Sequence, residues 1–380
     1  MALVFRKITK RVFIISNIVS ACFFLLACCN VFLHPQQWWF IALLGLAFPF
    51  LLAIIVAFLI FWLAFRSKWV LLPFGCLLIG YSNIRSLVGL NIGRKYTFQK
   101  PKNAIRILTW NVTWFDEQTR TEKTRITYRN DMMAFMRKEN PDIICFQEYL
   151  EPNTKRKAYN NKDDLTKMGY PFHIIAYDYI GYKGTFLSGV AIYSKFPIID
   201  SLHIRYNGPA SFKAAESLLG ADINVNGDTI RMFTTHLQSV LFNNTDYRNI
   251  EIIKTAADSM YEASKSVVKK LVQGYRYRGQ QVDVVRKYLD ESPHPAIICG
   301  DFNDVPNSYT YFRIRGNRKD AFIEAGKGIG RTLFNLSPTL RIDYIITDKR
   351  FETLQYFRYF LPYSQHYPVI ADITLRDTAN

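Results

Sequence analysis

The sequence predicts an α/β protein in two parts, an N-terminal helical transmembrane region over residues 1–95 and a soluble domain over residues 103–380. Three observations carry this. Between Met1 and Lys102 there are eleven Lys or Arg residues and no Asp or Glu, the first acidic residue being Asp116. Two long apolar runs with no charge inside, Val12 to Leu33 and Trp38 to Phe65, fall in that stretch. From about Ile105 the pattern changes to short β-rich segments separated by turn signals and helical stretches.

The two runs justify the first part. A helix rising 1.5 Å per residue needs about 20 apolar residues to cross the hydrocarbon core, and both runs meet that with no charge inside. A signal peptide is excluded for the first, because its apolar stretch is too long and a second follows within a few residues. A third stretch, Trp69 to Leu90, is interrupted by Pro73, Gly75, Asn83 and Arg85; it reads as a span in preference to a re-entrant or interfacial segment, since Arg85 lies near its end and can snorkel.

Basic residues flanking the spans set the orientation. Arg6, Lys7, Lys10 and Arg11 place the N-terminus in the cytoplasm, the turn His34-Pro35-Gln36-Gln37 carries no Lys or Arg, and Arg66 and Lys68 return inside. Three spans put the soluble domain outside; two would leave it in the cytoplasm, which the basic group Arg94, Lys95, Lys100 and Lys102 mildly favours. The expectation is an integral membrane protein of a bacterial inner membrane with an extracytoplasmic domain. Trp38, Trp39, Trp62 and Trp69 suit an interfacial belt.

Charge and cysteine usage narrow the function. A hydrophobic content of 49% excludes a disordered chain, and the formal +17 at first suggests nucleic acid or anionic lipid as partner. Removing residues 1–102 leaves 37 basic against 31 acidic residues, a net +6 over 278 residues. The excess is mostly topology signal, and a polyanion-binding surface is not required. The six cysteines form no closely spaced framework, so neither disulfides nor a zinc site is expected.

In the soluble part, strands are predicted at Ile105 to Val112, Asp142 to Phe146, Gly189 to Tyr193, Ala221 to Val225, Thr229 to Thr235, Ala296 to Cys299 and Ile342 to Thr347. Asn226-Gly227 predicts a type I′ hairpin turn. Helices are expected over Arg125 to Glu139 and Ile250 to Leu289. In the second, Ile250, Ile253, Ala257, Met260, Val267 and Leu271 make one buried stripe with a basic outer face.

Five apolar strands end in acid, amide or imidazole groups: Trp110 into Asn111, Phe146 into Gln147-Glu148, Thr235 into His236, Gly300 into Asp301-Phe302-Asn303, and Asp343 within Arg341 to Ile345. Such groups cost desolvation free energy unless paired or holding a cation. Gathered at one rim, they would make a polar cleft floored by a sheet. Carboxylates and amides with few cysteines select Mg²⁺ or Mn²⁺, and the chemistry suggested is metal-assisted hydrolysis of a phosphate ester.

These residues resemble the endonuclease/exonuclease/phosphatase superfamily. The likeness runs in order through Trp110-Asn111, Gln147-Glu148, Ser188 to Ile192, Thr235-His236-Leu237, Gly300 to Asn303, Arg341 to Tyr344, and Ser364-Gln365-His366-Tyr367-Pro368. It implies a catalytic domain over 103–380 folded as a four-layer sandwich of two packed β-sheets with outer helices. It also implies a divalent-metal-dependent phosphoric ester hydrolase, a phosphodiesterase, phosphatase or nuclease. By the same resemblance Glu148 is the principal metal ligand, with Asn111 beside it; Asp301 orients or deprotonates the attacking water; Asn303 hydrogen-bonds the phosphoryl oxygens; His366, held by Asp343, stabilises or protonates at the phosphate; and His236 contacts it from the other side. Gln365 departs from the pattern, which has Asp before the final His. An amide lacks the charge for a second cation, so a weak enzyme or a silent phosphate-binding module is the alternative, beside a nuclease acting at the membrane. Substrates are a lipid headgroup, nucleic acid or soluble phosphoester.

Other features take plainer readings. His173, His203 and His294 read as ordinary surface or core residues, and His34 as interfacial. Gly326 to Gly330 lacks the Lys-Ser/Thr of a phosphate loop and reads as a flexible turn. Lys269, Lys270, Tyr275, Arg276, Tyr277 and Arg278 interleave base and aromatic as nucleic-acid surfaces do, but read as a solvated helix face.

Overall fold

A computed structural model describes residues 2–93, 96–116, 122–153, 160–181, 184–206, 216–242, 245–246, 249–250, 253, 260–334 and 337–376. Arg94, Lys95 and Ala257, on which part of the sequence reading rested, lie outside them. The chain divides into two compact units, residues 1–88 with 242–279 and 305–313, and residues 89–241 with 280–304 and 314–380.

The first unit is helical. Helices α1 (Ala2–Cys29) and α2 (Trp39–Ala64) are each long and apolar enough to cross a membrane. The third apolar stretch is bent: α3 (Leu71–Ile79), preceded by a single 3₁₀ turn, and α4 (Tyr81–Leu87) meet at an angle of 64° about Gly80. Phe24 stacks on Phe48, with ring centroids 5.3 Å apart, and Ile55, Cys76 and Leu87 complete one apolar cluster joining all of these helices. The long helix α7 (Met260–Asp290) belongs to this unit as far as Gly279.

The second unit is built on two six-stranded sheets. One runs in the order β13 (Phe351–Arg358), β14 (Val369–Leu375), β2 (Ile105–Asn111), β3 (Ile143–Pro152), β5 (Phe186–Ser194), β4 (Phe172–Gly181). The other runs β10 (Lys319–Asp320), β12 (Asp343–Thr347), β9 (Ala296–Asp301), β8 (Asp228–His236), β7 (Leu218–Val225), β6 (Ile198–Ile204). Only β2–β3 and β8–β9 are parallel; the other pairings are antiparallel.

The alternation of side chains along a strand explains the layers. Ile107, Ile143, Cys145 and Ile192 from one sheet meet Ala221, Met232, Ile297, Cys299 and Ile345 from the other in one core. Leu108, Trp110, Ile144 and Phe146 face the opposite way and bury against Met132 and Met136 of α5 (Glu122–Glu139). The sheets are thus packed face to face with helices outside, the sandwich that the resemblance implied.

Seven predicted strands are present with longer or shifted bounds, and β4, β6, β13 and β14 were not foreseen. Asn226 and Gly227 have φ of 55° and 106°, both positive as a type I′ turn requires, between the paired Val225 and Asp228. Two readings are corrected. Lys327–Gly328 is not a free turn but a two-residue strand, β11, paired antiparallel with β1 (Gly89–Leu90). The cluster at 269–278 is a solvated face only in part: Lys269 and Arg276 are exposed, but Tyr275 and Arg278 are buried with the guanidinium 4.9 Å from the Tyr275 ring, and Lys270 pairs with Asp246 at 2.5 Å.

Asp372 breaks the apolar run of β14 for a structural reason. Arg106, opposite it on β2, donates to both carboxylate oxygens at 2.7 and 2.8 Å, and Gln355 donates to one of them at 2.8 Å. Both members of the pair are buried. Removing one partner strands the other charge in a low-dielectric interior at a cost of roughly 3–5 kcal/mol. Asp372→Ala is expected to lower unfolding stability by about that amount, read from the denaturant midpoint of the solubilised protein, whereas Asp372→Asn loses less because it still accepts a hydrogen bond.

Candidate active site

The two parallel pairings bring the polar strand ends together. Parallel strands present their C-terminal ends on one side, and His236 and Asp301 are direct partners in the β8–β9 register, as are Asp301 and Asp343 in β9–β12. On the other sheet Asn111 is in register with Gln147. All five polar strand ends therefore reach one rim.

Local backbone aims the side chains. The β3–β5 register shifts between Phe146 and Tyr149, and Glu148 at this bulge has a φ of 50°, which turns its carboxylate out of the sheet alternation. Gly300, before Asp301, has a φ of 143°, and a Cβ there would stand 2.0 Å from the Thr235 carbonyl, so only glycine lets β9 approach β8 at this point. Gln147 is structural: its Nε2 donates to Thr234 Oγ1 at 2.8 Å and ties the two sheets beneath the rim.

At the rim Asn111 Nδ2 donates to Glu148 Oε1 and to Asp301 Oδ2, each at 3.1 Å, while its Oδ1 accepts from the Thr113 amide. Asp301 Oδ1 accepts from the Asn303 amide at 2.8 Å. Asn303 itself, with a φ of 51°, donates one N–H of Nδ2 to the Leu237 carbonyl and keeps the other available. His236 Nε2 lies 3.5 Å from Asp301 Oδ2 and 3.9 Å from Glu148 Oε1. His366 Nδ1 lies 3.0 and 3.2 Å from the Asp343 carboxylate oxygens, with Nε2 3.6 Å from Asp301 Oδ2. Ser364 Oγ accepts from the His366 amide and donates to the Asn111 carbonyl, and Trp110 Nε1 donates to the His366 carbonyl. Gln365 is exposed, and its backbone carbonyl accepts from Phe334.

Glu216 was missed by sequence reasoning. It is buried, accepts from the Glu148 amide at 3.1 Å, and sets its carboxylate 3.3 Å from His236 Nδ1, an ion-pair approach with no well-directed hydrogen bond. An acid just ahead of the apolar strand β7 carries no motif, and only the fold brings it under Glu148. His203 bonds Asp178 and Ser217 at 3.2 and 2.6 Å, and His173 stacks on Tyr193, consistent with ordinary roles.

Four carboxylates, Glu148, Glu216, Asp301 and Asp343, thus surround two imidazoles. Burial alone would lower the histidine pKa values, but Glu216, Asp301 and Glu148 push His236 up to about 10, and Asp343 and Asp301 push His366 up to about 9. Burial raises Asp343 and Glu216 in turn, against the pull of their imidazole partners.

Comparison with known proteins agrees with this geometry. A family model described as Endonuclease/Exonuclease/phosphatase family matches residues 108–364, more than half of the chain. The chain belongs to that family. Residues 10–87 match a domain of unknown function, DUF8431. A DNA-(apurinic or apyrimidinic site) endonuclease of Dictyostelium discoideum is 32% identical over 84 residues, 22% of this chain and 19% of that protein, so the match spans about a fifth of the relative. An endonuclease/exonuclease/phosphatase from Beutenbergia cavernae superposes with a TM-score of 0.51 at 18% identity, covering 72% of each chain. The human Nocturnin catalytic domain, solved with bound sulfate, gives 0.50 at 15% identity, covering 76% of this chain and 99% of that one.

Members of the family are hydrolases acting on phosphoesters and generally use divalent metals. The donors at this rim fit such an ion: with both imidazoles protonated, four carboxylates leave an excess of negative charge, and the ligands on offer are hard oxygens. Asp301, Asp343 and His366 each bring one ligand atom within 4.8 Å of the others. His366 Nδ1 is already engaged with Asp343; Glu148 and Asp301 bring further carboxylate oxygens to the rim, whereas Asn111 turns its Nδ2 toward them and its Oδ1 to the Thr113 amide.

The His236–Glu216 pair makes stability pH-dependent. The folded imidazole pKa of about 10 lies above its ordinary 6.5, so its contribution is complete below about 6.5 and is lost as pH rises through 10. Glu216→Gln should lower the His236 pKa, followed by NMR, and flatten the alkaline loss in melting temperature. An unchanged pKa would show that Glu216 does not act on His236.

Proposed function

We propose that this chain is a membrane-anchored, divalent-metal-dependent phosphoesterase, attacking a phosphodiester or phosphomonoester with water. The observation that carries the reading is the convergence of Asn111, Glu148 and His366, the last just ahead of β14 in the same sheet, with His236, Asp301 and Asp343 from the other sheet within hydrogen-bond or ion-pair reach of one another.

In this reading Glu148, with Asn111 beside it, would hold Mg²⁺ or Mn²⁺, which would supply charge neutralisation at a phosphoryl oxygen. Asp301 orients the attacking water and takes up its proton, and the Asn303 amide approach fixes Asp301 for that task. The free N–H of Asn303 faces the phosphoryl oxygens as negative charge builds. Asp343 accepts from Nδ1 of His366, fixing the ring's orientation and keeping it protonated at neutral pH, so Nε2 can donate to the phosphate or to the departing oxygen as the P–O bond breaks. Glu216 likewise keeps His236 protonated on the opposite side.

The anchor is α1, α2 and the bent pair α3–α4, read as three spans. Asn30, at the end of α1, and Asn83, in α4, bond the same residue, Asn307, which supports a third crossing. With basic flanks at Arg6–Arg11 and Arg66–Lys68 inside, the catalytic domain is extracytoplasmic in a bacterial inner membrane. A C-terminal reporter active only outside the cytoplasm tests this, and cytoplasmic activity would overturn it.

A nuclease is the second reading, supported by the named activity of the Dictyostelium relative, and a silent binding module is the third, supported by Gln365. Hydrolysis of bis-p-nitrophenyl phosphate with Mg²⁺ separates enzyme from module. Glu148→Ala and His366→Ala should each lower the chelator-sensitive rate by roughly 10²–10⁴-fold, and Gln365→Asp should raise it. A wild-type rate no higher than those of the variants sinks the catalytic reading.

A further inference from the structure

The second unit holds a cavity of about 220 Å³ along β13, the edge strand of its sheet, and no residue of the polar rim lines it. Tyr96, Phe322, Ala325, Tyr356, Phe357 and Phe360 give it apolar walls. Lys327 and Arg358 are the only charged residues among the described ones that line it, so its charge is wholly positive.

Two polar groups in these walls have nothing to bond. Tyr356 is 7% exposed, its ring packs edge-on against Phe322 with centroids 5.5 Å apart, and its hydroxyl is buried with no hydrogen-bond partner among the described residues. Arg358 Nε is likewise buried and unpartnered, and the guanidinium stands 4.9 Å from the centroid of the Phe360 ring. Burial lowers the Arg358 pKa, and Arg331 and Arg341 lower it further, against the opposite pull of Tyr356 and Tyr367. The neighbouring polar groups are committed elsewhere. Arg331 Nε donates to the Leu333 carbonyl and Arg341 Nη1 to Asp320, each at 2.7 Å, while the Gln355 side chain accepts from the Thr97 amide and donates to Asp372. An arginine withdrawn from water is ordinarily paired with an acid, because an unpaired charge there is costly. Arg358 has a ring and two further cations around it instead, and the charge that would complete this surface is negative.

We propose that the cavity is a binding site for a compact organic anion, its head group at Arg358 and the Tyr356 hydroxyl and its apolar body against Phe322, Phe357 and Phe360. The guanidinium fork matches the paired oxygens of a carboxylate or phosphonate, and the phenol supplies one more donor. Exposed Lys327 adds attraction at the border. Size limits the body: an apolar cavity of about 150 Å³ takes benzene, whereas pockets for drug-sized ligands begin near 300 Å³. One ring or a short branched chain fits between those limits. The site owes nothing to the chemistry of the rim and stands whether or not the rim hydrolyses phosphoesters.

The test titrates the full chain in detergent, with a chelator present so that no metal draws anions to the rim, and reads binding by calorimetry and by melting temperature. The probes are benzoate, phenylphosphonate, inorganic phosphate and benzyl alcohol. Benzoate or phenylphosphonate is expected to bind with a Kd of about 1 mM and to raise the melting temperature, the tighter of the two identifying the head group. Inorganic phosphate lacks the apolar body and benzyl alcohol lacks the charge, so each should bind roughly tenfold more weakly or less. Arg358→Gln should weaken the organic anion by roughly tenfold or more. Tyr356→Phe keeps the ring and removes an unpartnered hydroxyl, so it should weaken binding by about threefold or more without lowering the melting temperature of the free protein; it decides the matter if Arg358→Gln does not fold. Absence of binding by either organic anion at about 10 mM overturns the proposal and shows a water-filled cavity. So does binding of benzyl alcohol or inorganic phosphate as tight as that of the organic anions, or an affinity that Arg358→Gln or Tyr356→Phe leaves unmoved.

Discussion

The rim depends on one electrostatic constraint: carboxylates that sit at the ends of buried strands must be held ionised without water. Asp301 and Asp343 are both almost fully buried and adjacent in the β9–β12 register. Two such charges side by side would repel and protonate. Here His366 lies between them, and His236 and Asn111 approach Asp301 from the other side. The imidazoles are in turn held protonated by the same carboxylates. Neither set is stable without the other, which explains why the site is distributed over both sheets.

That mutual dependence requires a rigid floor. The Gln147–Thr234 hydrogen bond joins the sheets directly under the site, and the shared apolar core fixes their spacing. Where a polar side chain at the rim leaves the regular alternation, the backbone is locally strained, at Glu148 and Asn303 with positive φ.

Much of this was legible in the sequence because it follows from strand chemistry. Strands buried on both faces read as apolar runs, so their polar termini stood out one by one, and family order assembled them. Strands that compromise were not legible. In β14 the buried Asp372 interrupts the run, and its reason, Arg106, lies 266 residues away. The edge strands β4, β6 and β13 are only partly buried and carry no continuous apolar signal. Glu216 was invisible for a similar reason, since its role exists only where β7 passes beneath Glu148. The 269–278 cluster failed differently: a pattern of bases and aromatics says nothing of which Arg lies inward, and Arg278 does, over Tyr275.

The asparagines of the helical unit follow the same rule as the carboxylates of the rim. Asn30, Asn83 and Asn307 are no better suited to an apolar bundle than Asp343 is to a sheet interior; the Nδ2 group of each donates to a carbonyl oxygen, although Asn30 Oδ1 is buried without a partner among the described residues. An apolar residue at any of these positions would pack but would specify nothing, because leucine slides where an amide bond has one geometry. Polar groups in low-dielectric surroundings are thus retained where position matters more than stability. In the sheets that position is the polar rim; in the helices it is the segment that carries Asn307.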